Sequence, residues 1–210
     1  MLVNIGLKMS QTVENAIKSK IYGHGRGWAF TPKDFSGLGS SEAIRLSLFN
    51  LEKQKFIRRV IRGVYDYPKQ HHLLGLLSPD IDAVVNALAE KNGFKVQPTG
   101  AYASNALGLS DQVPGQAVFL TDGRSKKFKL GKLQVILKHT SLKNMHAAGT
   151  REAMVIQALK FMQQDHIDEV MLLKIKKHLK GSTRTQFERN LKYAPEWIRT
   201  TLFKLMEGEL

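Results

Sequence analysis

The sequence predicts an α+β fold from three observations. Residues 31–68 place a short helix, capped by Thr31 with Pro32 at its first position, before a glycine turn, an amphipathic helix and two basic strands. Residues 94–138 alternate apolar and polar side chains as strands do, and from residue 149 onward the apolar spacing is helical. The first stretch has the order of a winged helix-turn-helix. A mixed α/β C-terminal domain that ends in a helical segment is expected to follow.

A first helix is predicted from Ser10, a suitable cap, to about Tyr22, because Val13, Ile17 and Ile21 recur on one face. The glycines of the next stretch, GHGRGWAF, end this helix, and its last three residues predict a short strand. We expect this helix to be the first of the winged helix.

The glycine-rich loop at residues 23–27 has a G-x-G-x-G pattern. The pattern precedes a strand, and no Gly-Lys-Ser or Gly-Lys-Thr occurs in the chain, so a turn is a better interpretation than a phosphate-binding loop. His24 and Arg26 in this loop are nevertheless predicted as accessory contacts to DNA phosphates.

The third helix of the unit is the predicted recognition helix. Ser40 or Ser41 can cap it, and Arg45 lies off its apolar stripe near the N-terminal end, where such a helix contacts bases. Its buried stripe, at i, i+4, i+7 spacing, consists of Ile44, Leu48 and Leu51. Ser40, Ser41 and Arg45 are therefore predicted DNA-binding residues.

Leu46 and Phe49 are large apolar residues that lie off this stripe. They could contact thymine methyl groups, pack under the wing or meet the second domain. Packing is favoured, because an exposed DNA-reading face rarely carries two large apolar groups. The predicted base contacts are therefore confined to residues 40–45.

The wing is predicted from strands at residues 56–60 and 64–67 with a turn between them. Arg58, Arg59 and Arg62 crowd this hairpin. Arginine at a wing tip is suited to contact phosphates or the minor groove. These three residues complete the predicted DNA-binding set.

The charge of the chain favours a polyanionic partner. The net charge is +14, and residues 1–70 carry half of that excess, with twelve Lys/Arg against five Asp/Glu. Double-stranded DNA is the favoured partner because of the winged-helix pattern. The alternative is a protein- or RNA-binding module that does not act on DNA, with the basic hairpin simply solvated.

No enzymatic activity, cofactor or metal is expected. The chain has no cysteine, which excludes disulfides, thiol nucleophiles and Cys-based zinc sites, and no HExxH, GxSxG or Walker pattern occurs. His71 and His72 are adjacent, and neighbouring side chains diverge in most backbones, so they are a poor metal site. No apolar run reaches the length of a membrane span. A cytoplasmic protein that does not contact the membrane is expected.

The domain boundary is predicted within a linker at residues 68–77, which gives domains of residues 1–70 and 71–210. In the second domain, residues 78–148 are predicted to be α/β and residues 149–210 helical. A helix from Ser78 to about Lys91 is expected to open this domain.

A lysine-rich hairpin is predicted around Gly131, where Phe128 and Leu130 alternate with lysines. A possible patch for a polyanion or an acidic partner consists of Lys126, Lys127, Lys129 and Lys132. A solvated edge strand whose lysines prevent aggregation explains them at least as well.

Five stretches resemble one known family in order and spacing. They are GRGWAFTPKDF at 25–35, FIRRVIRGVYDYP at 56–68, LLSPDIDAVVNALA at 76–89, QPTGAYASNALGLSDQVP at 97–114 and VFLTDGRSKKFKLG at 118–131. Together they look like the AbiEi-type antitoxins of the AbiE abortive-infection toxin–antitoxin systems, over about residues 10–165.

The resemblance implies a function that composition does not. In that family an N-terminal winged helix represses its own operon at inverted repeats in the promoter. A C-terminal domain counters a nucleotidyltransferase toxin encoded next to it. The family is described as type IV, so no stable complex with the toxin is required.

The resemblance transfers roles to a few positions only. Arg58, Arg59 and Arg62 match the basic wing of the family, and Ser41 and Arg45 match the exposed face of its recognition helix. At residues 55–56 this chain departs from the pattern, because it has Lys-Phe where relatives often carry Gly and a polar residue.

Overall fold

The computed structural model describes residues 2–208, with side chains from residue 12 onward. The chain forms two compact units, of which the first ends at Gly93 and the second begins at Phe94. Each unit combines helices with a small sheet. The predicted α+β class is therefore confirmed.

The helices described in the first unit are α1 (Leu2–His24), a 3-10 helix (Pro32–Phe35), α2 (Ser41–Lys53) and α3 (Ile81–Asn92). α1 begins before the predicted start at Ser10, whose side chain lies outside the described ones. The predicted short helix after Thr31 is a 3-10 turn, and the predicted recognition helix is α2.

Three strands complete the winged helix: β1 (Ala29–Phe30), β2 (Arg58–Ile61) and β3 (Val64–Asp66). They form an antiparallel sheet in the order β1-β3-β2, with Arg59 opposite Tyr65. The chain turns between β2 and β3 at Gly63, whose φ of +73° is a conformation that favours glycine. Helix, strand, short helix, helix and hairpin therefore follow one another in winged-helix order.

An apolar core cluster holds α1, α2 and the strands of the winged helix together. Its buried members are Ile17, Ile21, Phe30, Phe35, Ile44, Leu48, Leu51, Ile57 and Tyr67. The predicted stripes of α1 and α2 both belong to it, and Val13 packs against it partly buried. Burial of each large side chain stabilises the fold by about 1.5–3 kcal/mol, so this core fixes the face that α2 turns to solvent.

The predicted linker is structured, and the domain boundary lies later than predicted. Residues 70–76 form a hairpin of β4 (Gln70–His71) and β5 (Gly75–Leu76). α3, which the sequence assigns to the second domain, lies against β1 and β3. The compact units therefore divide at residues 93 and 94, not at residues 70 and 71, because α3 buries its apolar face in the first unit.

The second unit contains a mixed sheet of β6 (Val96–Thr99), β7 (Gln116–Thr121), β8 (Lys126–Leu130) and β9 (Leu133–His139). Its order is β6-β7-β9-β8, with β7 and β9 parallel and the other pairs antiparallel. The predicted lysine-rich hairpin is confirmed as β8 and β9, joined by a two-residue turn.

The helices described in the second unit are α4 (Gly100–Ala106), α5 (Arg151–Met162), α6 (Glu169–His178), α7 (Arg184–Asn190) and α8 (Glu196–Glu207). The helical segment predicted from residue 149 is therefore confirmed. A single apolar cluster joins α4 to these later helices and includes Leu159, Ile175, Phe187 and Leu202. Across the described residues, no helix combines the length and apolar character needed to cross a membrane.

Candidate nucleic-acid interface

Side-chain caps fix the 3-10 helix and the start of α2 that follows it. The Asp34 carboxylate accepts hydrogen bonds from the Thr31 backbone N–H at 2.7 Å and from the Thr31 hydroxyl at 2.9 Å, which closes the 3-10 turn. The Ser40 hydroxyl accepts from the backbone N–H of Ala43 at 3.2 Å. Ser40 is therefore the N-cap of α2, and its neighbour Ser41 is exposed at the first helical position.

α2 turns one continuous face to solvent. At 3.6 residues per turn, five of its exposed side chains fall within roughly 100° of arc, opposite the core stripe. They are Glu42, Arg45, Leu46, Phe49 and Lys53. Arg45 makes no ion pair with any described carboxylate, so its guanidinium is available to a partner. Glu42 adds a negative charge to this face.

Leu46 and Phe49 do not pack, and the prediction that they do is wrong. Leu46 is 51% exposed and Phe49 is 59% exposed. The core already takes its side chains from the opposite side of α2, so neither residue reaches it. The exposed face of α2 thus combines two large apolar side chains with the charges of Arg45, Lys53 and Glu42.

The wing presents two uncommitted arginines, Arg59 on β2 and Arg62 at the turn. Both side chains are exposed, and neither forms an ion pair with a carboxylate among residues 12–208. Burial raises the pKa of Tyr65, which lies opposite Arg59, even though the arginine charge acts to lower it. The phenol beside Arg59 is therefore neutral at physiological pH.

Lys91 of α3 adds a cation to the wing tip. Its ammonium lies 3.5 Å from the Arg62 carbonyl oxygen and 3.4 Å from that of Gly63. The sequence does not predict a place for Lys91 at the wing, because its pattern assigns α3 to the other domain. No local pattern signals the contact, which depends on how α3 packs.

Arg58, a predicted DNA-binding residue, is held by contacts within the fold. Its guanidinium binds Asp66 at 2.6 Å and 3.0 Å and donates to the Leu77 carbonyl oxygen at 3.2 Å. Asp66 is buried, so its negative charge requires this partner. Arg58 therefore braces the sheet, although its neighbours on the wing remain available.

His24 and Arg26 are likewise held by the glycine-rich loop. The Arg26 guanidinium donates to the Pro68 carbonyl oxygen at 2.8 Å and lies 4.8 Å from the centre of the Tyr67 ring. The His24 ring stacks on Trp28 with 3.8 Å between ring centres. Both side chains therefore have a structural role in the loop that does not require DNA. This role agrees with the interpretation of the loop as a turn.

In the second unit the predicted lysine patch lies on an edge strand. Lys126, Lys127 and Lys129 are exposed on β8, and Lys132 is exposed in the turn after it. The Lys126 ammonium lies 5.9 Å from the centre of the Phe128 ring. These lysines form no ion pair with a described carboxylate, and they occupy positions where charge blocks edge-to-edge association.

No constellation among the described residues suggests catalysis. They include no group of three His, Asp or Glu side chains placed to hold a metal ion. Glu152 is a buried carboxylate between α5 and α7, and it accepts a hydrogen bond from the Asn190 side-chain amide at 2.9 Å. An apolar cleft of about 510 Å³ in the second unit is rimmed by lysines and contains no carboxylate or histidine.

The fold and this site define a winged-helix protein with an exposed cationic face and a second α+β unit. The chain belongs to the family DUF6088, described as a family of unknown function, whose pattern matches residues 16–187. No curated protein matches the sequence. The chain is similar to the crystal structure of the RV2827C protein from Mycobacterium tuberculosis, with a TM-score of 0.43 and 12% identity over 96% of this chain and 80% of that one. A likeness of this degree carries no functional argument.

Proposed function

We propose that the chain is a DNA-binding transcriptional regulator that contacts double-stranded DNA through its first unit. The single observation that carries this proposal is the set of exposed, unpaired cations on the two winged-helix elements that reach DNA. Arg45 lies on the recognition helix, and Arg59 and Arg62 lie on the wing. The net charge of +14 adds a long-range attraction to any nucleic acid.

The roles within this interface follow from geometry. Arg45, near the N-terminus of α2, is suited to base edges in the major groove. Arg59, Arg62 and Lys91 at the wing are suited to flanking phosphates or the minor groove. Arg58 acts on the same surface indirectly, because it holds the wing strands through Asp66.

We further propose that the chain is a cytoplasmic protein and the antitoxin of a toxin–antitoxin pair. In this role it represses its own operon by binding inverted repeats in the promoter. This part rests on the resemblance to AbiEi-type antitoxins. In this proposal the later part of the chain counters a nucleotidyltransferase toxin, with no stable complex required. The exposed lysines of β8 are the candidate surface for that action, through an acidic or polyanionic partner.

One observation favours a second candidate function. Leu46 and Phe49 expose a large apolar area on α2, as protein-binding winged helices do. A protein-interaction module would use this face without DNA.

The two activities can be separated in one experiment with the full chain. It is expressed beside the nucleotidyltransferase toxin that the proposal places in the adjacent gene, and beside a reporter driven by its own upstream DNA. We expect the wild type to repress the reporter and to rescue growth. The double variant Arg45→Ala/Arg62→Ala should lose repression and keep rescue. The double variant Lys127→Glu/Lys129→Glu should keep repression and lose rescue.

Absence of repression by the wild type would contradict the regulator proposal. Absence of rescue would contradict the antitoxin proposal while leaving DNA binding intact. Loss of rescue in Arg45→Ala/Arg62→Ala, at unchanged protein level, would contradict the division of labour.

A further inference from the structure

The most unusual feature of the α2 surface is its pair of large apolar side chains. Leu46 and Phe49 are more than half exposed, and the core of the unit is complete without them. They share their face with Arg45 and Lys53, and with the carboxylate of Glu42. An apolar pair on a face of net positive charge fits a partner that is anionic and also offers apolar groups.

The major groove of DNA offers one apolar group, the C5-methyl of thymine. Phenylalanine and other apolar side chains contact this methyl, while arginine contacts purines and phosphates. Phe49 lies four residues beyond Arg45, about 6 Å along the helix axis, which is close to two base-pair steps of roughly 3.4 Å. One line of side chains can therefore meet an acceptor for the guanidinium and a thymine methyl about two base-pair steps apart.

We propose that Leu46 and Phe49 determine specificity by binding thymine methyl groups in the major groove. This inference rests on the proposed function, because it requires α2 to lie in the groove. It also predicts weaker binding to RNA, since uracil lacks the methyl group and the deep major groove of A-form RNA excludes side chains. Duplexes bound specifically by this chain then contain thymines within the half-site read by α2.

The test removes the methyl group from the DNA and leaves the protein intact. Duplexes are selected from a random pool by the full chain, and each thymine of the selected sequence is replaced in turn by deoxyuridine. Base pairing and backbone charge are unchanged by this replacement. Loss of one buried methyl is expected to weaken binding about fourfold at one or two positions.

Phe49→Ala provides the matching change on the protein. It should bind the thymine duplex about tenfold less tightly, and it should no longer respond to deoxyuridine at the position it contacts. Phe161→Ala serves as the control, because Phe161 is 52% exposed on α5 in the other unit. That variant should respond to deoxyuridine as the wild type does.

Binding that is unaffected by deoxyuridine at every position would overturn the inference while leaving the proposed function in place. A shift in oligomeric state for Phe49→Ala, with no response to deoxyuridine, would overturn it in favour of a contact between chains. Selection of no duplex at all would overturn the proposed function itself.

Discussion

At the scale of single residues, the availability of an arginine depends on its surroundings. Arg58 and Arg59 are adjacent, yet Arg58 neutralises the buried Asp66 while Arg59 turns to solvent. Neighbouring side chains of a strand point to opposite faces, so one serves the fold and the other is free to bind. The two residues should therefore respond differently to substitution.

Arg58→Met should destabilise the first unit by about 1–3 kcal/mol, because it leaves a buried carboxylate unpaired. Urea denaturation measures this loss. Arg62→Met, the matched exposed change, should alter stability by no more than about 0.5 kcal/mol. Equal stability losses in the two variants would contradict the role assigned to Arg58.

Lys55 lies two residues after the last residue of α2, and its backbone is in the left-handed region, with φ of 58°. Glycine is preferred at this position of a helix end, and a side chain there is strained. Lys55→Gly should therefore raise stability by about 0.5–1 kcal/mol, after allowance for the added freedom of the unfolded chain.

Lys53→Gly is the control for this prediction, because it removes the same charge from a position with helical geometry. It should lower stability by up to about 1 kcal/mol in the same denaturation assay. A loss of stability in Lys55→Gly would show that the left-handed turn is not strained.

At the scale of elements, α5 and α7 are joined by a buried polar contact. Burial acts to raise the pKa of Glu152, but hydrogen bonds with Ser182 and Asn190 outweigh it and leave the pKa below its usual range. A carboxylate with a lowered folded pKa stabilises the fold above its unfolded pKa of about 4.3. That stabilisation is lost as the pH falls through the folded value.

Glu152→Gln should therefore be less stable than the wild type by about 1–2 kcal/mol at pH 7, and the difference should shrink below about pH 4. Urea denaturation of the full chain at the two pH values measures it. Glu188→Gln, an exposed change on α7, should matter little at either pH. A difference independent of pH would contradict the ionised state of Glu152.

Local patterns predicted most elements, and nonlocal contacts account for what they missed. The stripes of α1 and α2 and the β8–β9 hairpin follow from periodicity, which is a property of neighbouring residues. The wing contact of Lys91 joins residues 28 positions apart. The commitment of Arg58 requires a buried Asp66, and burial is set by the packed sheet. The exposure of Phe49 likewise depended on which side chains complete the core.

At the scale of the whole molecule, both units carry exposed lysines or arginines, so attraction to DNA alone would not identify the interface. We propose that the first unit contacts DNA and that the charge of β8 serves a separate purpose. The domain boundary after Gly93 matters here, because α3 supplies Lys91 to the wing. Experiments on the first unit alone should therefore retain α3.

The most direct test compares two triple variants of equal charge across a range of salt concentrations. Binding of the full chain to a selected duplex is measured for Arg45→Ala/Arg59→Ala/Arg62→Ala and for Lys126→Ala/Lys127→Ala/Lys129→Ala. The slope of log K against log salt concentration is negative, and each lost phosphate contact reduces its magnitude by about 0.9. We predict that the arginine variant loses affinity and up to about two phosphate contacts, those of Arg59 and Arg62, while the lysine variant keeps the wild-type affinity and slope. Equal losses in the two variants would contradict an interface on the winged helix.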